Sequence, residues 1–389
     1  MRRAALGAAC GFTCGYAAVR ALQALRGLRA PAAPRARRDP RSYGAARRAL
    51  ALAGVVRSVA ASATVAFVLA DPLDRRLRSL PRPLRAPAFA LVLVGLDALL
   101  EAGPDFVEGH LLERRYGNSA QQPCGWLADH LKGTAVTALV SVVLAGLADA
   151  LVVRAPRRWP LIALGATPPL LALATVIVPA LVLPLFNTYA PVTGELERRV
   201  RALAGRHGVG GAAILRFDMS RRTRKANAFV TGVLGTERIA IADTLIDAFE
   251  ADETLFVVAH ELGHYVRRDP WLGIAIGSVA AAATLLPADA ILRATTRRGL
   301  SSPAQAARLA FYALLIQLLL TPPANAASRA LERRADRFAL AATGDAAAGA
   351  RAFRRLAERN LAELDPPRWA QIVFGSHPSL GTRIRLLER

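Results

Sequence analysis

The chain has 389 residues, 53% of them hydrophobic, and a mean hydropathy of +0.29 although 21% of its residues are charged. Charged and apolar residues therefore stand in separate blocks, the pattern of a multi-pass membrane protein. The net charge is +22, carried almost wholly by arginines in short loops between apolar runs, with Lys only at Lys132 and Lys225; without a nucleic-acid motif, this charge points to a bilayer surface and not to nucleic acid.

A span needs about 20 largely apolar residues. Seven segments qualify as candidates: about 4–24, 51–70, 86–103, 133–153, 161–186, 271–292 and 306–324. The first contains Arg20, the second contains Arg57 and the seventh is short, so the count is five to seven. Pro168, Pro169, Pro179 and Pro184 predict a kinked fifth segment. Cys10, Cys14 and Cys124 are too few for a disulfide framework. The arginine-over-lysine and alanine-rich composition suggests a GC-rich genome and hence a bacterial cell membrane.

Between the fifth and sixth segments the chain turns polar. It reads as a helix over Gly194 to Ala204, a strand over Ala212 to Asp218 and a polar turn over Ser220 to Lys225. Asn227 to Gly232 follows, then a strand over Arg238 to Ala242 and an amphipathic helix over Asp252 to Arg268. Residues 325–343, 346–363 and 378–388 read as helices. The expected organisation is an N-terminal transmembrane region at 1–186 with about five spans and a catalytic region at 187–270. A two-span hairpin at 271–324 and a helical region at 325–389 complete it. The loop at 25–50 carries eight arginines; placed in the cytoplasm with all seven spans real, it puts both polar regions on the cytoplasmic side.

The stretch VVAHELGHYVRRDP, Val257 to Pro270, carries the chemistry. HExxH places His260 and His264 one turn apart on one helical face, where both imidazoles reach a single ion, and Glu261 beside them is the general base for water. Two partnered histidines on an ordinary helix are the bland alternative, and the motif outweighs it. Gly263 inside the helix implies close packing or the approach of a ligand. A catalytic zinc site takes three protein ligands and leaves one position open. In SRALERRAD, 328–336, Glu332 and Asp336 share one helical face. Glu332 is the candidate third ligand, and Asp336 the acceptor for the distal nitrogen of a histidine ligand. An Arg-rich solvated face accounts for Arg329, Arg333 and Arg334 but not for the acidic pair. Two candidate spans separate His264 from Glu332, so the chain returns to the same side of the bilayer.

From about 105 to 389 the chain resembles the Ste24-type CAAX prenyl proteases, membrane metallopeptidases of family M48. The resemblance lies in ERRYGNS at 113–119, LPLFNTYAP at 183–191, SRRTRKANAFVTG at 220–232, DTL at 243–245, HELGHYVRRDP at 260–270, SRALERRAD at 328–336 and SHPSLGTRI at 376–384. It implies a mainly α-helical protein with about seven spans around a water-filled chamber, and a zinc-peptidase domain with a small β-sheet. It implies one Zn²⁺ per chain on His260, His264 and Glu332, with Glu261 activating water. It also implies that Asn227, Ala228 and Phe229 form an edge strand for an extended substrate, and that His377 stabilises the oxyanion. ERRYGNS lacks the phenylalanine usual after the glycine, and the first hundred residues match in hydropathy only.

The expected function is hydrolysis of peptide or membrane-associated protein substrates, with the lipid bilayer as surroundings and no obligatory protein partner. An HtpX-like quality-control protease is a sister reading that seven spans disfavour. A site-2-type protease would hold HExxH inside a span, whereas Arg267, Arg268 and Asp269 follow it here. A non-catalytic protein with a structural metal would close the site with four ligands, and this chain offers three and a free glutamate.

Overall fold

The computed structural model describes residues 38–232, 236–296 and 299–388. The candidate segment at 4–24 lies outside the described residues. Four long helices come first: α1 (Pro40–Leu77), α2 (Arg82–Arg115), α3 (Pro123–Arg154) and α4 (Trp159–Leu185). Strand β1 (Tyr189–Pro191), helix α5 (Glu195–Arg206), and strands β2 (Ala213–Phe217), β3 (Ala228–Thr231) and β4 (Arg238–Ala242) form the next block. Then come α6 (Asp243–Ile246), α7 (Ala251–Val266), α8 (Asp269–Thr296) and α9 (Pro303–Thr343). The short helices α10 (Ala346–Asn360), α11 (Arg368–Val373) and α12 (Leu380–Leu387) close the chain.

Among the described residues, α1 to α4, α8 and α9 are long and apolar enough to cross a membrane. Their apolar side chains point outward: Leu99, Leu139 and Leu319 are 76%, 66% and 78% exposed. Such a surface is stable against lipid, not water. The six pack in the order α1, α2, α3, α4, α8, α9 and back to α1, which closes a ring. The prolines of α4 act as expected. The regular helix stops at Ile177, and Pro179 and Pro184 lie in a wide turn at Val178–Val182 and a tight one at Leu183–Leu185.

Helix α9 has 41 residues, about 60 Å at 1.5 Å per residue, twice the hydrocarbon thickness. It therefore runs on past the bilayer without a break, through Pro322 and Pro323, and the division expected at 324/325 falls inside it. The projecting half carries Glu332 and Asp336.

The four strands form one sheet in the order β1-β2-β4-β3, with β2 and β4 parallel and the outer pairs antiparallel. β3 is an edge strand. Gly232 ends it at φ 98°, and a Cβ there would sit 2.2 Å from the carbonyl oxygen of Thr236, so only glycine fits. The core lies between the sheet, α7 and α10. Ile239, Ile241, Leu245, Phe256, Val258, Leu262 and Phe353 are nearly inaccessible, with Phe256 and Phe353 meeting edge to face at 5.7 Å. α7 starts with a capping box in which Glu250 and Glu253 each bond the other's backbone.

Candidate active site

Helix α7 brings the HExxH residues out of this core. Leu262 and Ala259 bury one face, and His260 and His264 stand on another with ring centroids 4.9 Å apart. The projecting half of α9 crosses close by. A Cβ on Gly263 would lie 3.0 Å from the ring of Phe338, so the glycine permits this approach. It brings Glu332 Oε2 to 3.2 Å from His260 Nε2 and Glu332 Oε1 to 3.4 Å from His264 Nε2. One ligand atom from each of the three residues lies within 4.8 Å of the others.

The residues fit a metal. Glu332 Oε2 is buried and lacks a well-directed hydrogen bond although His260 Nε2 is 3.2 Å away, and a buried carboxylate left so is costly without a cation. Two nitrogens and one carboxylate are a zinc donor set. Each histidine is oriented from behind: His260 Nδ1 is 2.9 Å from Asp336 Oδ1, and His264 Nδ1 is 2.9 Å from Asp269 Oδ2. Such contacts fix the ring and leave Nε2 free for a metal.

Electrostatics follow from this crowding. For His264, burial favours the neutral ring, but the carboxylates of Glu332 and Asp269 outweigh it and hold the pKa up to about 9. His260 is pulled down by burial and raised on balance by Asp336 and Glu332. Burial pushes the Glu261 carboxyl up, offset in part by the two histidines. Glu261 has neither hydrogen bond nor ion pair among the described residues, so its carboxylate is uncommitted.

His377 sits before α12 with its side chain 60% exposed, Nε2 3.2 Å from Glu332 Oε1 and Nδ1 2.9 Å from Ser376 Oγ. Ala228 and Phe229 lie on the edge strand β3, which packs on α7, and Asn227 directly precedes it. Two residues at the site escaped sequence reasoning. Asp269 lies five positions after His264, and Arg268 at φ 59° turns the chain back so that it reaches the ring. Arg383, buried on α12, donates from Nε and a terminal nitrogen to Asp336 at 3.0 and 2.5 Å, and its guanidinium lies 4.0 Å over Phe353. The string SHPSLGTRI contains it, but no spacing rule links it to Asp336 across 47 residues.

The profile of peptidase family M48 matches residues 191–389, which hold every one of these groups. The chain belongs to peptidase family M48. Residues 41–188 match a second M48-associated profile, the CAAX prenyl protease N-terminal region with five membrane helices. This M48 member is 29% identical over 317 residues to the uncharacterized metalloprotease YhfN of Bacillus subtilis, over 79% of this chain and 74% of that one. It is 28% identical over 292 residues to the CAAX prenyl protease 1 homolog of Arabidopsis thaliana, over 72% and 67%. Its fold is that of the crystal structure of S. mikatae Ste24p, with a TM-score of 0.77, 20% identity and 97% of both chains covered. The protein is a membrane-embedded metallopeptidase of this family.

Proposed function

We propose that the protein is a zinc endopeptidase in which His260, His264 and Glu332 hold one Zn²⁺ and Glu261 is the general base. The observation that carries this reading is the convergence of three ligand atoms, one of them on the buried carboxylate of Glu332, beside a Glu261 that makes no hydrogen bond or ion pair among the described residues. Bound zinc supplies a Lewis acid that acidifies water and polarises the scissile carbonyl. Glu261 accepts the proton of the attacking water and returns it to the leaving amine. His377 reaches the same space on an exposed side chain and, turned from Glu332, donates Nε2–H to the developing oxyanion. Asp336 and Asp269 hold the two histidine rings, and Arg383 holds Asp336. The outer edge of β3, at Ala228 beside Asn227 and Phe229, aligns an extended peptide by strand addition.

The substrates in this reading are peptides or membrane-associated proteins, as for the CAAX prenyl proteases among the relatives. The site faces the cytoplasm of a bacterial cell membrane, supported by the arginine-rich sequence at 25–50 and by the two spans, α8 and α9, that return the chain from α7 to the side of Glu332. A hydrated interior is supported by the ring of spans and by charge within it: Arg57 pairs with Glu101 at 2.8 Å on α1 and α2. Charged side chains in spans face protein or water, not lipid. The working divisions in this reading are the N-terminal region 1–186, the catalytic region 187–270, the hairpin 271–324 and the region 325–389, the last two joined through the continuous helix α9.

The test is metal content and peptide cleavage of detergent-purified protein, wild type beside Glu261→Gln. About one zinc per chain in both, with cleavage by wild type alone, is expected. A chain that takes up no metal when it is supplied overturns the ligand assignment.

A further inference from the structure

The outer edge of β3 is not open along its whole length. The backbone N–H of Ala242 donates to the C=O of Asn227 at 3.0 Å, and the ladder continues with Phe229 opposite Ala240 and Thr231 opposite Arg238. Asn227, Phe229 and Thr231 therefore turn their backbone groups toward β4. By the alternation of a strand, Ala226, Ala228 and Val230 turn theirs to the outer edge. At Ala226 that edge is taken. The side-chain amide of Asn360 accepts the Ala226 N–H at 2.9 Å and donates to its C=O at 3.3 Å. This is the same two-bond exchange that a residue of an added strand would make.

The cap is firmly built. Asn360 is the last residue of α10, which packs on α7, and Leu361 follows in the left-handed conformation at φ 51°. The preceding residue of the substrate segment is fixed as well. The Lys225 carbonyl accepts from Thr244 Oγ1 at 2.7 Å, and its ammonium bonds Glu113 and Tyr43, each at 2.9 Å. Ala228 and Val230 make no outer-edge backbone hydrogen bond among the described residues.

We infer that Asn360 stands in for a substrate residue at Ala226 and so ends the peptide-binding edge, leaving Ala228 and Val230 as the two residues that pair with substrate. Asn360 is a specificity residue: it fixes the register of the peptide against Glu261 and limits how many residues pair on one side of the cleaved bond. The inference rests on the proposed strand addition at β3. Substrate length and cleavage position are thereby set by a helix end, not by a side-chain pocket.

The experiment uses full-length protein in detergent and a randomised peptide library whose members differ by two residues at either terminus, with cleavage sites read by mass spectrometry. Asn360→Ala opens one more residue for pairing. It is expected to raise kcat/KM several-fold for peptides lengthened at one terminus only, about one or two hydrogen bonds' worth, and to spread the cleavage positions. Asn360→Asp, which keeps the acceptor for the Ala226 N–H and loses the donor, falls between wild type and Asn360→Ala and guards against a folding failure. Equal loss for all lengths with unchanged cleavage positions in both variants overturns the inference. A depsipeptide series, with single esters in place of amides, tests the underlying reading separately. Loss of activity at particular esters supports pairing with β3; no loss at any position overturns strand addition itself.

Discussion

At the scale of single residues, the site separates groups that act on substrate from groups that hold them. Among the described residues Glu261 makes no hydrogen bond or ion pair, whereas His260, His264, Glu332, Asp336 and Asp269 are joined to one another. Loss of the general base removes proton transfer but no ligand, so Glu261→Gln lowers kcat by about 10²–10⁴-fold with metal content unchanged by elemental analysis. Arg383 and Asp336 are both buried, and removing one partner strands a charge. Arg383→Met is therefore expected to destabilise the folded protein by about 3 kcal/mol, seen as a lower melting temperature in detergent. Asp336→Asn in the same background recovers part of that loss. The double variant is not expected to regain full metal affinity, because His260 then loses the carboxylate that orients it.

At the scale of elements, the site is the crossing of α7 and α9. Gly263 against Phe338 sets how close the two helices come. Gly263→Val forces them apart at a cost of about 1–3 kcal/mol and moves Glu332 off the two histidines, so zinc affinity falls. Phe338→Ala relieves the crowding and restores part of it, as read by competition with a chromophoric chelator. The same crossing sets the pH response of metal uptake. With its pKa held at about 9 in the metal-free protein, His264 is protonated at neutral pH, and a metal must displace that proton. Affinity therefore rises with pH toward about 9 and flattens above it. Calorimetric titration at pH 7 in buffers of different ionisation enthalpy reports the released proton; an affinity independent of pH between 6 and 9 contradicts this arrangement.

At the scale of the whole molecule, a polar knot helps tie the membrane ring to the catalytic region. Lys225, at the start of the substrate segment, reaches Glu113 of α2 and Tyr43 of α1, and Tyr43 also bonds Glu113 at 2.5 Å. Beside it, the Asn118 carbonyl accepts from Thr223 Oγ1 at 2.8 Å and from the Arg224 backbone at 2.7 Å. Glu113→Ala leaves the Lys225 ammonium short of its carboxylate in a half-buried place. A loss of about 2 kcal/mol is expected, and a double-mutant cycle with Lys225→Met returns a coupling energy well above that of a surface pair. Additive losses would mean that the knot does not join the two halves.

By itself the sequence determined what is local and periodic. The hydropathy blocks at 51–70, 86–103, 133–153, 161–186, 271–292 and 306–324 coincide with the six long helices, because about 20 apolar residues in a row have one stable home. HExxH put two imidazoles on one helical face, and the four-residue spacing of Glu332 and Asp336 put two carboxylates on another, since helical geometry follows from spacing alone. Only the tertiary structure decided how these faces meet. Glu332 reaches the histidines because α9 continues beyond its span where a boundary at 324/325 was expected, and because a glycine lets it approach α7. Arg383 meets Asp336 across 47 residues and Asn360 meets Ala226 across 134. No periodicity encodes such contacts: they exist only where packed elements bring their ends together, and there buried polar groups must find partners or be lost to the fold.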